Sequence, residues 1–165
     1  MIILGIDPGI AITGYGLIRL DDQNEPELIK CGVINSTAES DNSSRLIFLY
    51  QELSALIDEF QPTHSAVEKL FFQKNHKTAM AVSEARGVIL LCLAQHQIPF
   101  TEYSPNAVKQ AVTSYGSANK RQVQEMVKII LRLESFPKPD DAADAVAIAL
   151  CHLGDLRMKR LMGEG

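Results

Sequence analysis

The sequence predicts an α/β fold: a mixed five-stranded sheet with helices on both faces. Three observations predict it. The first third of the chain reads as three strands joined by links too short for a crossover helix. A helix-period segment separates these strands from the remainder. Beyond it, short apolar runs alternate with longer helical ones. Short links favour antiparallel pairing and strand–helix–strand units favour parallel pairing, so one sheet has to hold both.

The elements follow in order. Residues 2–7 form an apolar run, Ile2-Ile3-Leu4-Gly5-Ile6-Asp7, that reads as a buried strand. A Pro8-Gly9 turn leads to a second strand over 13–20, and a polar turn over 21–26 leads to a third over 28–34. Leu46, Leu49, Leu53, Leu56, Ile57 and Phe60 recur at helical spacing, which predicts a helix over 43–60 that Pro62 stops. Ser65-Ala66-Val67-Glu68 is a fourth strand. A helix over 77–95 and a fifth strand over 98–103 come next. Pro105 suits the first turn of a helix reaching about residue 112. Asn119 with Gln122 is a capping-box pattern opening a helix to about residue 133. Pro137 and Pro139 separate it from a last helix over 141–157. Residues 1–157 thus make one domain, with 158–165 expected to be a flexible tail.

Composition fits one soluble domain of 165 residues with 46% hydrophobic residues, enough to bury a substantial core. The longest uncharged apolar run, Val88 to Ala94, is too short to span a bilayer. The N-terminus has no basic stretch before its apolar run, so a secretory signal is not expected. The 3 cysteines, Cys31, Cys92 and Cys151, are far apart and show no metal-ligand spacing. They read as reduced thiols in a cytoplasmic protein. Net charge is −4, but it is unevenly placed. Residues 1–66 carry 10 acids against 3 bases, a net −7, and residues 67–165 carry 10 against 13, a net +3. Between 106 and 132, Lys109, Lys120, Arg121, Lys128 and Arg132 face Glu125 alone. A solvated helix face accounts for some of these; a stripe that tracks phosphates is the sharper reading.

Four carboxylates end or open apolar runs: Asp7, Glu68, Asp141 and Asp144. Each alone has a plain explanation. Asp before Pro-Gly starts turns, and an acid in a helix's first turn satisfies the macrodipole. Together they are harder to dismiss. Asp141 and Asp144 are three apart and share a helix face. Strand-end acids meeting such a pair would repel one another unless cations intervene. With two divalent ions such a cluster can cut a phosphodiester.

The surrounding residues resemble the RuvC-type Holliday junction resolvases. The matching stretches are Gly5-Ile6-Asp7-Pro8-Gly9 with Thr13-Gly14-Tyr15-Gly16, and Glu68-Lys69-Leu70-Phe71-Phe72-Gln73-Lys74-Asn75 with Glu84-Ala85-Arg86-Gly87. Tyr103-Ser104-Pro105, Val108-Lys109, Gly116-Ser117-Ala118-Asn119-Lys120, Gln122-Val123 and Asp141-Ala142-Ala143-Asp144-Ala145 complete them. They run in family order from about residue 2 to 153. One departure is Asn119, where Asp is more usual; Asn and Asp cap about equally well.

The resemblance implies a ribonuclease H-like fold, with the first and fourth strands adjacent and Asp7 and Glu68 neighbours facing the last helix. It implies a Mg2+-dependent endonuclease of recombination and DNA repair. Such an enzyme resolves four-way junctions by paired nicks in strands of like polarity, leaving 5′-phosphate and 3′-hydroxyl ends. Two Mg2+ ions per site, replaceable by Mn2+, would be held by Asp7, Glu68, Asp141 and Asp144. Asp140 is the adjacent alternative to Asp141, which the Asp-Ala-Ala-Asp match favours. Lys120 would stabilise the transition state. Phe71, Phe72, Lys74, Lys109, Lys120, Arg121 and Lys128 are the DNA-binding candidates, with Phe71 stacking on bases near the crossover. A twofold dimer is expected to match the junction's symmetry, with Ala79, Ala81, Ala85, Gly87, Val88, Ile89, Leu91 and Leu93 of helix 77–95 at its interface. A branch-migration motor is the implied partner. Two rivals are weaker. Actin-like ATPases and sugar kinases start with a similar strand but need two such domains. A non-catalytic junction binder has no need of four acids.

Overall fold

The computed structural model describes residues 1–36, 41–69 and 76–163, with only the backbone of 76–78. The elements run β1 (Ile2–Asp7), β2 (Ile12–Leu20), β3 (Pro26–Asn35), α1 (Asn42–Phe60), β4 (His64–Glu68), α2 (His76–Gln95), β5 (Phe100–Tyr103), α3 (Pro105–Thr113), α4 (Lys120–Ile130) and α5 (Asp140–Met162). The sheet order is β3-β2-β1-β4-β5. The first three strands form the antiparallel meander their short links require. β1–β4 and β4–β5 are parallel, as helical crossovers require. The mixed five-stranded sheet is therefore as the sequence predicts.

Alternation along β1 divides two cores. Leu4 and Ile6 pack with Leu17, Val67 and the buried faces of α1 and α2. Ile3 packs with Ala66, Ile18 and α5 on the other face. Asp7 has the parity of Ile3, and Glu68 the parity of Ala66, so both carboxylates lie on the α5 side.

α5 sits against the sheet at backbone distance. Ala142, Ala143, Ala145, Ala147 and Ala149 of α5 are all buried. Glycines oppose them. A Cβ on Gly5 would lie 2.1 Å from the Ala145 carbonyl oxygen, and one on Gly14 would lie 2.1 Å from that of Asp141. Gly14 is also the register partner of Asp7. Small residues on both sides thus fix the start of α5 beside the end of β1. Tyr103 braces the other flank: its hydroxyl donates to Asp155 Oδ2 at 2.7 Å and lies 2.8 Å from His152 Nδ1.

Several boundaries differ from the sequence reading. α4 ends at Ile130, not near 133, because Leu131 turns inward and is buried while Arg132 takes a left-handed φ of 52°. β5 begins at Phe100; Ile98 instead caps the core beneath α1 and α2. α5 starts at Asp140 and continues to Met162, so most of the segment read as a tail is helical. Lys159 and Arg160 in its last turn suit the negative end of the helix dipole. Cys92 and Cys151 are buried free thiols, and Cys31 is half-buried. Among the described residues no helix is long and apolar enough to cross a membrane.

Gly14→Ala places a methyl where the Asp141 carbonyl lies. A loss of stability of at least ~1–3 kcal/mol is expected, with α5 displaced from Asp7. Thermal melting and a cleavage assay check it; a wild-type melting curve with wild-type activity would show that the contact has slack.

Candidate active site

Three elements bring the acids together. β1 and β4 end side by side, Ile6 opposite Val67, and deliver Asp7 and Glu68. The first turns of α5 bring Asp141 and Asp144 over the same edge. The Gly14 contact sets Asp141 against β2.

The electrostatics report the crowding. Burial first, then the charges of Glu68, Asp144 and Asp141, push the Asp7 carboxyl up to about 8, with Lys120 opposing. Burial and Asp144 also raise the Glu68 carboxyl above its ordinary value, against a hydrogen bond from Asp7 and the charge of Lys109. Burial and like charge thus act on both strand-end carboxylates in the same direction.

The cluster stands open. Among the described residues, no three His, Cys, Asp or Glu side chains close round a single point at metal-ligating distance. Asp7 and Glu68 form one pair. Asp144 is engaged on the other side by Lys120, whose Nζ lies 3.0 Å from Asp144 Oδ2 and 3.3 Å from Asp140 Oδ2. Burial lowers the Lys120 ammonium's affinity for its proton, and the hydrogen bonds and charges of Asp144 and Asp140 more than restore it. The donor set nevertheless fits a hard divalent cation. It is all carboxylate, partly desolvated and short of positive charge, as Mg2+ or Mn2+ sites are.

A groove beside the acids runs between α3, α4 and α5. Glu68 and Asp144 line it with Lys109 and Lys120, over Val108 and Val123. Lys120 is the first helical residue of α4. Asn119 caps that helix through Gln122 N at 3.0 Å, and the Gln122 side chain answers by accepting from Asn119 N at 2.9 Å. The expected capping box thus orients the lysine. Asn serves there as well as Asp would.

The remaining candidates divide. Arg121 pairs with Glu125 at 3.1 Å on the exposed side of α4. Lys128, two turns along, holds its ammonium 5.7 Å from the Phe136 ring. Spacing puts Arg121 and Lys128, two turns apart, along one side of α4, whereas Arg132 lies beyond the helix end. Phe71, Phe72 and Lys74 lie outside the described residues. Asp140 is the neighbour that the sequence left in competition with Asp141. It reaches α4, accepting from Gln124 at 3.2 Å and from Lys120. Its part in holding Lys120 was missed, although its i,i+4 relation to Asp144 signals a shared face.

The family model for crossover junction endodeoxyribonuclease RuvC matches residues 3–152. A protein of that description from Roseiflexus sp. (strain RS-1) is 51% identical over 162 residues, 98% of this chain and 96% of the relative. Another, from Finegoldia magna, is 52% identical over 161 residues, 98% of each. Among solved structures, T. thermophilus RuvC in complex with a Holliday junction substrate superposes with a TM-score of 0.87 at 31% identity, covering 96% of both chains.

The raised Asp7 value gives metal-free stability a definite sign. Below about pH 4 Asp7 is protonated whether folded or unfolded. Between its ordinary 3.8 and about 8 the unfolded chain sheds the proton while the folded site keeps it, so stability falls as pH rises through that window. In EDTA, Asp7→Asn is expected to gain melting temperature relative to wild type as pH goes from 5 to 9. A constant difference across the range would contradict the raised value.

Proposed function

The chain belongs to the crossover junction endodeoxyribonuclease RuvC family, and from that premise we infer that it is a divalent-metal-dependent nuclease that resolves four-way DNA junctions. The observation that carries the assignment of the site is the group of four carboxylates around Asp7, whose carboxyl is raised by burial and then by the charges of the other three. A second rests on the groove, where cations and carboxylates alternate.

Asp7, Glu68, Asp141 and Asp144 would hold two Mg2+ ions, with Mn2+ as a substitute. When bound, the pair of ions would supply an activated water and charge stabilisation for the leaving 3′ oxygen. The products are then 5′-phosphate and 3′-hydroxyl ends. As a ligand Asp7 would be in its carboxylate form. Lys120 has its ammonium beside Asp144 at the groove wall and is the group that faces charge developing on the scissile phosphate. Lys109 lies in the same groove. Arg121 and Lys128 extend positive charge along α4, where they track the backbone.

Resolution takes two symmetrical nicks, hence a homodimer. The interface reading from sequence needs narrowing. Ala85, Ile89 and Leu93 are buried in the protomer's own core and are unavailable. The free stripe of α2 carries Met80 and Leu91, 68% and 55% exposed, with Gly87 between them. A Cβ on Gly87 would meet nothing within 4 Å. Glycine inside a helix costs stability, and nothing among the described residues requires it there. Close approach by a second α2 explains it. A branch-migration motor, cytoplasmic location and a part in recombination and repair accord with this activity.

A synthetic four-way junction with Mg2+ tests the reading. Paired nicks are expected from wild type and none from Asp7→Asn, with junction binding retained. DNA shifted but never cut would mean a binding module. Lys120→Ala is expected to lower the single-turnover rate by about 10²–10³-fold while changing affinity little. Lys128→Ala is expected to weaken binding and reduce its salt slope by about 1. Gly87→Leu is expected to give a monomer by analytical ultracentrifugation. A variant that stays dimeric would place the interface elsewhere.

A further inference from the structure

We infer that Ser36 and Arg45 are positioning residues for the carboxylate of Asp7, acting through the turn that joins β1 to β2. The inference rests on Asp7 being a metal ligand and assigns how it is held.

Asp7 is the last residue of β1, so the turn after it determines its backbone setting. Pro8 is buried and Ile10 packs at the edge of the core under α1 and α2, while Gly9 is half-buried and Ala11 and Ile12 are exposed. Polar contacts fix the exposed side of the turn. Three successive carbonyls each accept a hydrogen bond. The Thr13 hydroxyl donates to Gly9 O at 2.6 Å, the Ser36 hydroxyl donates to Ile10 O at 2.6 Å, and Ser36 N–H donates to Ala11 O at 3.0 Å. Thr13 and Ser36 are 1% and 7% exposed, so water does not compete for these bonds. Thr13 adjoins Gly14, which pairs with Asp7 and abuts Asp141. The clamped turn therefore touches both halves of the acid cluster.

Arg45 sets the direction of the Ser36 hydroxyl. Its Nε–H donates to Ser36 Oγ at 2.9 Å. A hydroxyl has one proton to give. With a guanidinium N–H filling one acceptor site, that proton turns to Ile10 O. Arg45 lies in the first turn of α1, where its own N–H donates to the helix-capping Asp41 carbonyl at 3.1 Å. The relay thus ties the start of α1 to the turn after Asp7. Outer partners that orient a ligand typically govern metal affinity by 10–100-fold when lost.

The experiment is calorimetric titration of Mn2+ alone into wild type, Ser36→Ala, Ser36→Thr, Arg45→Gln and Asp7→Asn. It is paired with single-turnover junction cleavage across Mn2+ concentration and with junction affinity in EDTA. Ser36→Ala and Arg45→Gln are expected to weaken Mn2+ binding about 10-fold. They should shift half-maximal cleavage by the same factor and keep the maximal rate and junction affinity within about twofold. Ser36→Thr keeps the hydroxyl and is expected to restore Mn2+ binding, which a purely structural role for the site would not require. Should Ser36→Ala fail to fold, Arg45→Gln alone carries the test. Unchanged Mn2+ affinity in Arg45→Gln overturns the inference. So does weakened junction binding with unchanged metal dependence, which would make Arg45 a phosphate contact. Wild-type Mn2+ binding by Asp7→Asn would instead remove Asp7 as a ligand, and the relay's purpose with it.

Discussion

The contact on which the rest depends is backbone to backbone: α5 lies directly on β1 and β2. Gly5, Gly14 and Gly16 give up their side chains on one side, and a run of alanines does so on the other. No ordinary helix–sheet spacing would bring the start of a helix this near a strand end. With it, Asp141 and Asp144 arrive where Asp7 and Glu68 already sit. Packing forces together four groups that electrostatics would separate. Burial and that crowding together hold the Asp7 carboxyl up at about 8.

The same crowding explains where positive charge goes. The chain is acidic overall, yet Lys109 of α3 and Lys120 of α4 line the groove beside the cluster. Lys120 is held by two acids of α5, Asp140 and Asp144. A lysine so held is available at the groove wall without lying free in solvent. Apart from Asp7, the described acids of the first third lie at exposed positions, such as Glu27 paired to Arg19.

Much of this was legible in the sequence because periodicity is a direct consequence of burial. β1, α1 and the capping box before α4 each left a clear pattern. The four acids were legible because they interrupt apolar runs. What was not legible depends on contacts between distant segments. Leu131 folds inward and ends α4 early, although nothing in the local pattern stops the helix there. The split of α2 between core and free surface needs the sheet to be in place, so Ala85 and Ile89 read like Leu91. Ser36 shows no motif at all; its importance lies in two bonds to the distant β1–β2 turn and one from Arg45. Asp140 was half-legible, since its spacing to Asp144 was present but its partner on α4 was not.

Metal binding to a protonated ligand must release that proton. Calorimetric titration of Mg2+ at pH 7 in buffers of differing ionisation enthalpy counts the protons released. With Asp7 raised to about 8, about one proton per chain is expected for wild type and essentially none for Asp7→Asn. Binding without proton release, or equal release from both proteins, would contradict a carboxylate cluster forced together by the packing of α5 on the sheet.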